Sequence, residues 1–166
     1  MESKEIKFTL HRYTDLEELK AEDQFLVRQA RTAVIQAYSP YSNYSVGAAV
    51  ILENGEVLTG NNQENASFPA GICAEQVVLA FANANWPEEP VHTIAVSAID
   101  TQGKRSDIIR PCGICRQVMV EVEKKFKKPL RIIMDGELGI EVVERASALL
   151  PLTFDDLDDL IADRAG

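Results

Sequence analysis

The chain has 166 residues, a length typical of one domain that buries a core without covalent cross-links. Its net charge of −9 argues against nucleic-acid binding, which needs an excess of Lys and Arg to neutralise phosphates. No apolar run approaches membrane-spanning length, and the polar start of the chain lacks a signal-peptide core. We therefore expect a cytoplasmic protein with a small-molecule substrate and neither a nucleic-acid nor a membrane partner.

The first part of the chain predicts helical structure. Residues 1–13 give little signal and are treated as an N-terminal extension. Thr14 and Glu17 have the spacing of a capping box, and apolar residues then recur with helical spacing as far as Ala37. The pattern predicts one long helix, or two helices with a break near residues 22–23.

The rest of the chain alternates between strand and helix patterns. The predicted elements are a hairpin with strands over 45–52 and 57–60, a helix over 73–83, a strand over 91–99, a helix over 112–125, strands over 130–134 and 139–143, and an acidic helix over 155–163. Asn54 and Gly55 favour a tight hairpin turn, because both residues tolerate positive φ. This order predicts an α/β fold, with a mixed five-stranded sheet and helices on both faces. The helix over 112–125 should connect two parallel strands.

All three cysteines fall in two short segments at predicted helix starts. Cys73 precedes Glu75 by two residues, and Cys112 and Cys115 form a Cys-x-x-Cys. The positive end of a helix favours the thiolate, which is the form that binds metal. Three protein ligands leave one tetrahedral position for water, and Glu75, on another side of its helix, could move the protons of that water. The pattern therefore predicts a catalytic zinc site.

Spacing alone leaves other interpretations of the cysteines open. A Cys-x-x-Cys can be a redox motif or half of a structural zinc site. The redox interpretation leaves Cys73 unexplained, although Cys73 could simply be a small buried apolar residue. A structural site normally has a fourth Cys or His, and neither His11 nor His92 has ligand spacing to the cysteines. A zinc-stabilised binding module without catalysis also remains open.

Several segments of the chain, in the same order, resemble the zinc-dependent cytidine deaminases. They are Tyr-Ser-Asn-Tyr-Ser-Val-Gly-Ala-Ala at 41–49, Gly-Asn-Asn-Gln-Glu-Asn-Ala at 60–66, Cys-Ala-Glu at 73–75 with Pro-Cys-x-x-Cys-Arg-Gln at 111–117, and Leu-Leu-Pro-Leu-Thr-Phe at 149–154. The Pro-Cys-x-x-Cys signature is a general feature of zinc deaminases. The resemblance spans about residues 30–160. It implies a single domain over 1–166 with the three-layer α/β/α fold of that family.

The resemblance also implies a function and a role for each matching residue. The function is hydrolytic deamination of cytidine and deoxycytidine to uridine and deoxyuridine in pyrimidine salvage, by a homotetramer with shared active sites and one Zn²⁺ per subunit. The implied zinc ligands are Cys73, Cys112 and Cys115, and the implied catalytic acid/base is Glu75. The implied substrate-binding residues are Asn62 and Glu64 at the ribose hydroxyls, Tyr44 near the base, Ala74, and Phe154, which would reach the active site of a neighbouring subunit.

Two residues depart from the family pattern. Gln76 stands where the family usually has Arg after the catalytic Glu, and Tyr44 stands where it has Phe. Blasticidin S-type deaminases share the zinc motif and sometimes lack that Arg, so they are the alternative function. The Asn62 and Glu64 pair favours a ribonucleoside or deoxyribonucleoside instead.

Overall fold

The computed structural model describes residues 1–154, which form a mixed sheet with helices on both faces, as the sequence predicts. The strands are β1 (His11–Tyr13), β2 (Ser45–Leu52), β3 (Val57–Asn61), β4 (Val91–Ile99), β5 (Arg131–Gly136) and β6 (Gly139–Val143). The helices are α1 (Ala21–Ala33), α2 (Ala74–Asn85) and α3 (Gly113–Phe126). The predicted helix over 155–163 lies outside the described residues.

The side chains of β2 alternate between two apolar layers. Ala48 and Val50 pack with α2 and α3 on one face of the sheet, whereas Ala49 packs with α1 on the other. This alternation follows from the two-residue period of a strand. Because both faces of β2 are covered, the strand is apolar along most of its length rather than alternating with polar residues.

The strands run in the order β1-β6-β5-β4-β2-β3. β4 and β5 pair in parallel, as predicted for strands joined through α3, and the other described pairs are antiparallel. β3 and β4 are both antiparallel to β2, so they point in the same direction and end at the same edge of the sheet. The segments that follow them lead to α2 and α3, and this topology brings the starts of those two helices to one edge.

The sheet formed by the described residues has six strands, so the prediction of five was one too low. The additional strand is β1, in which His11 pairs with Val142 and Tyr13 pairs with Ile140 of β6. β1 has three residues and lies at the edge of the sheet, where its side chains are mostly exposed. Such a strand carries no alternating apolar pattern, and this explains why residues 11–13 were not predicted as a strand.

The predicted N-terminal helix begins later than its sequence suggests. Asp15 and Glu18, rather than Thr14 and Glu17, form the capping box, and they cap a short 3-10 turn over Leu16–Glu18. The Glu18 carboxylate accepts the backbone N–H groups of Thr14 and Asp15, each at 3.0 Å. The helical conformation is therefore interrupted after this turn, and α1 starts at residue 21.

In the hairpin turn only Gly55 has positive φ, at 88°, so Asn54 does not use the left-handed conformation that it tolerates.

Within residues 1–154, no helix has the length and apolar character required to cross a bilayer.

Candidate active site

The three cysteine sulfurs converge between the starts of α2 and α3. Cys73 and Cys112 are the N-cap residues of these helices, and Cys115 lies in the first turn of α3. All three Sγ atoms lie within 4.8 Å of one another, and the Cys112 and Cys115 sulfurs are 3.4 Å apart. Tetrahedral zinc with Zn–S bonds of about 2.3 Å places its sulfurs roughly 3.8 Å apart. The donor set and its spacing therefore fit a tetrahedral metal ion.

The electrostatics of the cluster also favour a cation. A hydrogen bond with the Cys115 thiol lowers the pKa of Cys73 to about 7. The same contact, together with burial, raises the pKa of Cys115. The Cys112 sulfur accepts the backbone N–H of Cys115 at 3.5 Å, as expected at a helix N-terminus. Thiols this close cannot all ionise alone, whereas a bound divalent cation would stabilise three thiolates.

Glu75 lies beside the sulfur cluster and is only 5% exposed. Burial raises the pKa of its carboxyl group, partly offset by hydrogen bonds from its own backbone N–H and from the Cys115 thiol. Gln76, one of the two residues that depart from the family pattern, accepts the backbone N–H of Cys73 at 3.3 Å through its side-chain oxygen. Its backbone N–H in turn caps the Cys73 sulfur, so this residue completes a capping box at the start of α2.

The loop after β3 is held directly against the segment that precedes Cys73. Gln63 and Ile72 exchange two backbone hydrogen bonds, each 2.9 Å long. At Gly60, a Cβ atom would lie 2.9 Å from the Val78 nitrogen and 3.1 Å from the carbonyl oxygen of Ala74. The absence of a side chain at Gly60 therefore allows β3 to approach α2 closely. Ala74 itself is fully buried.

The loop that begins at Asn62 presents two polar side chains. Asn62 accepts the Val46 N–H through Oδ1 at 2.8 Å and donates through Nδ2 to the Tyr44 carbonyl at 2.9 Å. The Glu64 carboxylate accepts the N–H groups of Tyr41 and Ser42 at 2.8 and 3.2 Å. Hydrogen bonds, first from the Ser42 side chain and then from these backbone groups, lower the pKa of Glu64.

An open cavity of about 380 Å³ lies beside Glu64. Its lining residues are Tyr41, Ser42, Glu64, Asn65, Phe68 and Gly71. The rings of Tyr41 and Phe68 meet edge to face with their centroids 5.9 Å apart. The cavity is therefore an aromatic and carboxylate-lined depression on the Glu64 side, and its lining does not include the sulfurs.

Tyr44 and Phe154 are both exposed and have different hydrogen-bond partners. Tyr44 is 39% exposed, and its hydroxyl accepts a hydrogen bond from Ser106 at 2.8 Å. Phe154 is 79% exposed, while its backbone N–H and C=O bond the Gln117 side chain at 3.3 and 2.9 Å. Arg116 donates to the carbonyls of Pro111 and Leu149, at 2.9 and 3.1 Å.

Sequence reasoning assigned no role to Ser106, Arg116 or Gln117. Arg116 and Gln117 belong to the Pro-Cys-x-x-Cys-Arg-Gln motif, and their place in that motif was the indication in the sequence that they have a role. Both tie the start of α3 to the segment that carries Phe154. Ser106 lies in a loop without periodicity, so nothing in its sequence context indicated a partner.

Comparison with known proteins agrees with this geometry. Residues 20–128 match the family model described as the cytidine and deoxycytidylate deaminase zinc-binding region. A cytidine deaminase from Halalkalibacterium halodurans is 39% identical over 138 residues, which are 82% of this chain and 98% of the relative. A cytidine deaminase from Mycobacterium tuberculosis is 34% identical over 81% of this chain and 90% of the relative. The crystal structure of a cytidine deaminase from Burkholderia pseudomallei superposes with a TM-score of 0.67, at 35% identity over 82% of this chain and 100% of that one. The chain therefore belongs to the cytidine and deoxycytidylate deaminase family.

Proposed function

We propose that this chain is a cytidine deaminase that hydrolyses cytidine and deoxycytidine to uridine and deoxyuridine, with release of ammonia. The single observation that carries the proposal is the convergence of three cysteine sulfurs beside the buried carboxyl group of Glu75. Cys73, Cys112 and Cys115 would hold one Zn²⁺ per subunit. The ion, when bound, supplies a water that is acidic enough to act as a nucleophile near neutral pH.

Glu75 is the acid/base of the proposed mechanism. Its carboxylate takes a proton from the attacking water and delivers it to N3 of the cytosine ring. The attack forms a bond from the water oxygen to C4, which gives C4 a hydroxyl group. In the later step Glu75 carries the proton of that hydroxyl to the amine, the C4–N4 bond breaks with loss of ammonia, and the C4=O of uracil forms. One carboxyl group can move all of these protons, because its burial excludes competing solvent.

The proposed substrate site lies on the loops next to Cys73. Glu64 accepts two backbone N–H groups through one of its oxygens and a further hydrogen bond from the Ser42 side chain, and these bonds fix the carboxylate. A carboxylate has about four lone-pair sites, so Glu64 retains the capacity to accept a ribose hydroxyl. Asn62 is oriented by two hydrogen bonds of its own and retains one side-chain N–H. Tyr44 and Ala74 are proposed to lie near the base.

A homotetramer with shared active sites is part of the same proposal. The Phe154 ring is exposed although its backbone is fixed, and the exposed side chains of Ile114 and Leu152 belong to the same two segments. Exposed apolar side chains on an ordered surface are typical of contacts with another chain. Sedimentation as a monomer at micromolar concentration would contradict the tetramer.

We further propose that the protein is a cytoplasmic enzyme of pyrimidine salvage.

A substrate panel tests the function. Purified protein is incubated with cytidine, deoxycytidine, CMP and blasticidin S, and loss of the cytosine absorbance is followed. We expect turnover of the two nucleosides. The blasticidin S alternative is not favoured, because the relatives reported above are named cytidine deaminases. Preferential turnover of blasticidin S would reverse this assignment.

Glu75→Ala tests the mechanism, whereas cytidine turnover by the wild-type protein in the absorbance assay separates an enzyme from a zinc-stabilised binding module. We expect the variant to retain zinc and lose turnover, because the sulfurs remain and the proton carrier is gone. Metal content is measured by atomic absorption alongside the assay. Turnover at the wild-type rate in Glu75→Ala would refute the mechanism.

A further inference from the structure

The hydroxyl of Tyr44 is bonded to a loop that is distant in sequence. Ser106 Oγ donates to Tyr44 Oη at 2.8 Å across 62 positions of the chain. Tyr44 is the residue that replaces the Phe of the family pattern, so this hydrogen bond depends on the departure itself. The loop that contains Ser106 continues to Cys112.

Ser106 is a fixed donor. Its backbone N–H bonds the carbonyl of Ala98 at the end of β4, at 3.0 Å, and its carbonyl accepts the N–H of Glu137 at 2.8 Å. The neighbouring Arg105 guanidinium lies 3.0 Å from the carboxylate of Asp135. Asp135 is fully buried, so this ion pair anchors the loop to the centre of the sheet.

The other hydrogen bonds described for Tyr44 within residues 1–154 hold its backbone rather than its ring. Its backbone is held by Asn62, which donates to its carbonyl, and by the Ser42 hydroxyl, which accepts its N–H at 3.0 Å. The side chain is more than one third exposed. The Ser106 bond therefore gives the phenol ring a second fixed point and restricts its side-chain rotation.

We propose that Ser106 is a positioning residue, which holds the Tyr44 ring in the orientation that receives the nucleoside. The inference rests on the proposed function, in which Tyr44 contacts the substrate. The hydrogen bonds described for Ser106 and Tyr44 within residues 1–154 do not involve the cysteines or Glu75. The pair therefore acts on substrate binding rather than on proton transfer.

The test is a double-mutant cycle with Ser106→Ala and Tyr44→Phe. Each single variant removes the same hydrogen bond and retains the rest of its side chain. We expect each to raise KM for cytidine roughly two- to tenfold, as for loss of one hydrogen bond, with kcat within about twofold of wild type. The KM of the double variant should be no higher than the KM of whichever single variant binds cytidine more weakly.

Thr32→Ala is the matched control. This substitution also removes a hydroxyl, which bonds the carbonyl of Arg28 at 3.0 Å. Thr32, however, lies in α1, which packs on the face of the sheet opposite α2 and α3. Its KM and kcat should equal those of wild type.

Three results would overturn the inference. In the first, Ser106→Ala has the same KM as Thr32→Ala. In the second, the effects of Ser106→Ala and Tyr44→Phe on KM are additive. In the third, kcat or zinc content falls without a change in KM. Failure of the proposed function is separately visible, because then the wild-type protein itself would not deaminate cytidine.

Discussion

Replacement of Gly60 by Ala is expected to disturb the active site through the backbone alone. Gly60 is the point at which β3 contacts the first turn of α2. An added Cβ would lie 2.9 Å from the Val78 nitrogen, where ordinary contact begins at 3.4 Å. The three obstructing atoms are the Val78 nitrogen, the Ala74 carbonyl oxygen and the Val78 Cβ, and the backbone of α2 fixes the position of each. A side-chain rotation therefore cannot relieve the clash, and β3 and α2 must separate by about 0.5 Å.

The separation has two measurable consequences. Overpacking of this kind costs about 1–3 kcal/mol of unfolding free energy, and each kcal/mol lowers Tm by about 2–4 °C in a chain of this size. It also moves Asn62 and Glu64 relative to Cys73 and Glu75. Because a 1 Å misplacement can cost about 100-fold in rate, a shift of half that size should lower kcat/KM roughly tenfold.

Thermal unfolding and the cytidine absorbance assay measure the two effects. Val27→Ala provides the control, because Val27 is fully buried in the α1 layer and its truncation costs about 2 kcal/mol without reaching the site. The control should lose stability and keep kcat/KM. The reasoning is refuted if Gly60→Ala retains the wild-type kcat/KM, or if Val27→Ala loses as much activity as Gly60→Ala.

Three other predictions concern the metal and the buried carboxylates. Removal of metal with dipicolinate should abolish cytidine deamination and lower Tm, and added Zn²⁺ should restore both; full activity in metal-free protein would contradict the zinc assignment. Asp135→Asn should lower the urea unfolding free energy by about 2–3 kcal/mol, because Arg31 and Arg105 lose the charge that they share. A loss below about 0.5 kcal/mol would show that this network contributes little. Glu123→Gln should cost about 1–3 kcal/mol in the same assay, since its carboxylate accepts the backbone N–H of Ala146 and the hydroxyl of Ser147 in the turn after β6. Glu121→Gln on the exposed side of α3 is its control, and equal losses in the two variants would contradict the prediction.

The sequence predicted those parts of the fold that depend on local periodicity. The helices that follow Cys73 and Cys112 have apolar stripes, and the parallel pairing of β4 with β5 follows from the helix between them. The convergence of the three sulfurs could be anticipated for the same reason, because two helix starts at one sheet edge bring their first residues together.

The features that were missed depend on exposure or on contacts between distant residues. β1 is short and exposed, so no apolar pattern marks it. Ser106 bonds Tyr44 across 62 positions, and Gln117 bonds Phe154 across 37. A hydroxyl or an amide in a loop has many possible partners, and only the fold selects one. The capping box was displaced by one residue because Thr14 and Asp15 are both good caps and both have a Glu three positions later.

The placement of the sulfurs on two helices has a kinetic consequence for metal exchange. Two of the proposed ligands belong to α3 and one lies at the start of α2, with all of β4 between them in the chain. A bound ion would thus close a loop of about forty residues, and its escape would require one helix start to open. We expect the rate of zinc loss to a chromogenic chelator to follow the rate of this local opening, and to increase with dilute urea below the unfolding transition. A release rate that is independent of urea would show that the ion leaves without any movement of the helices.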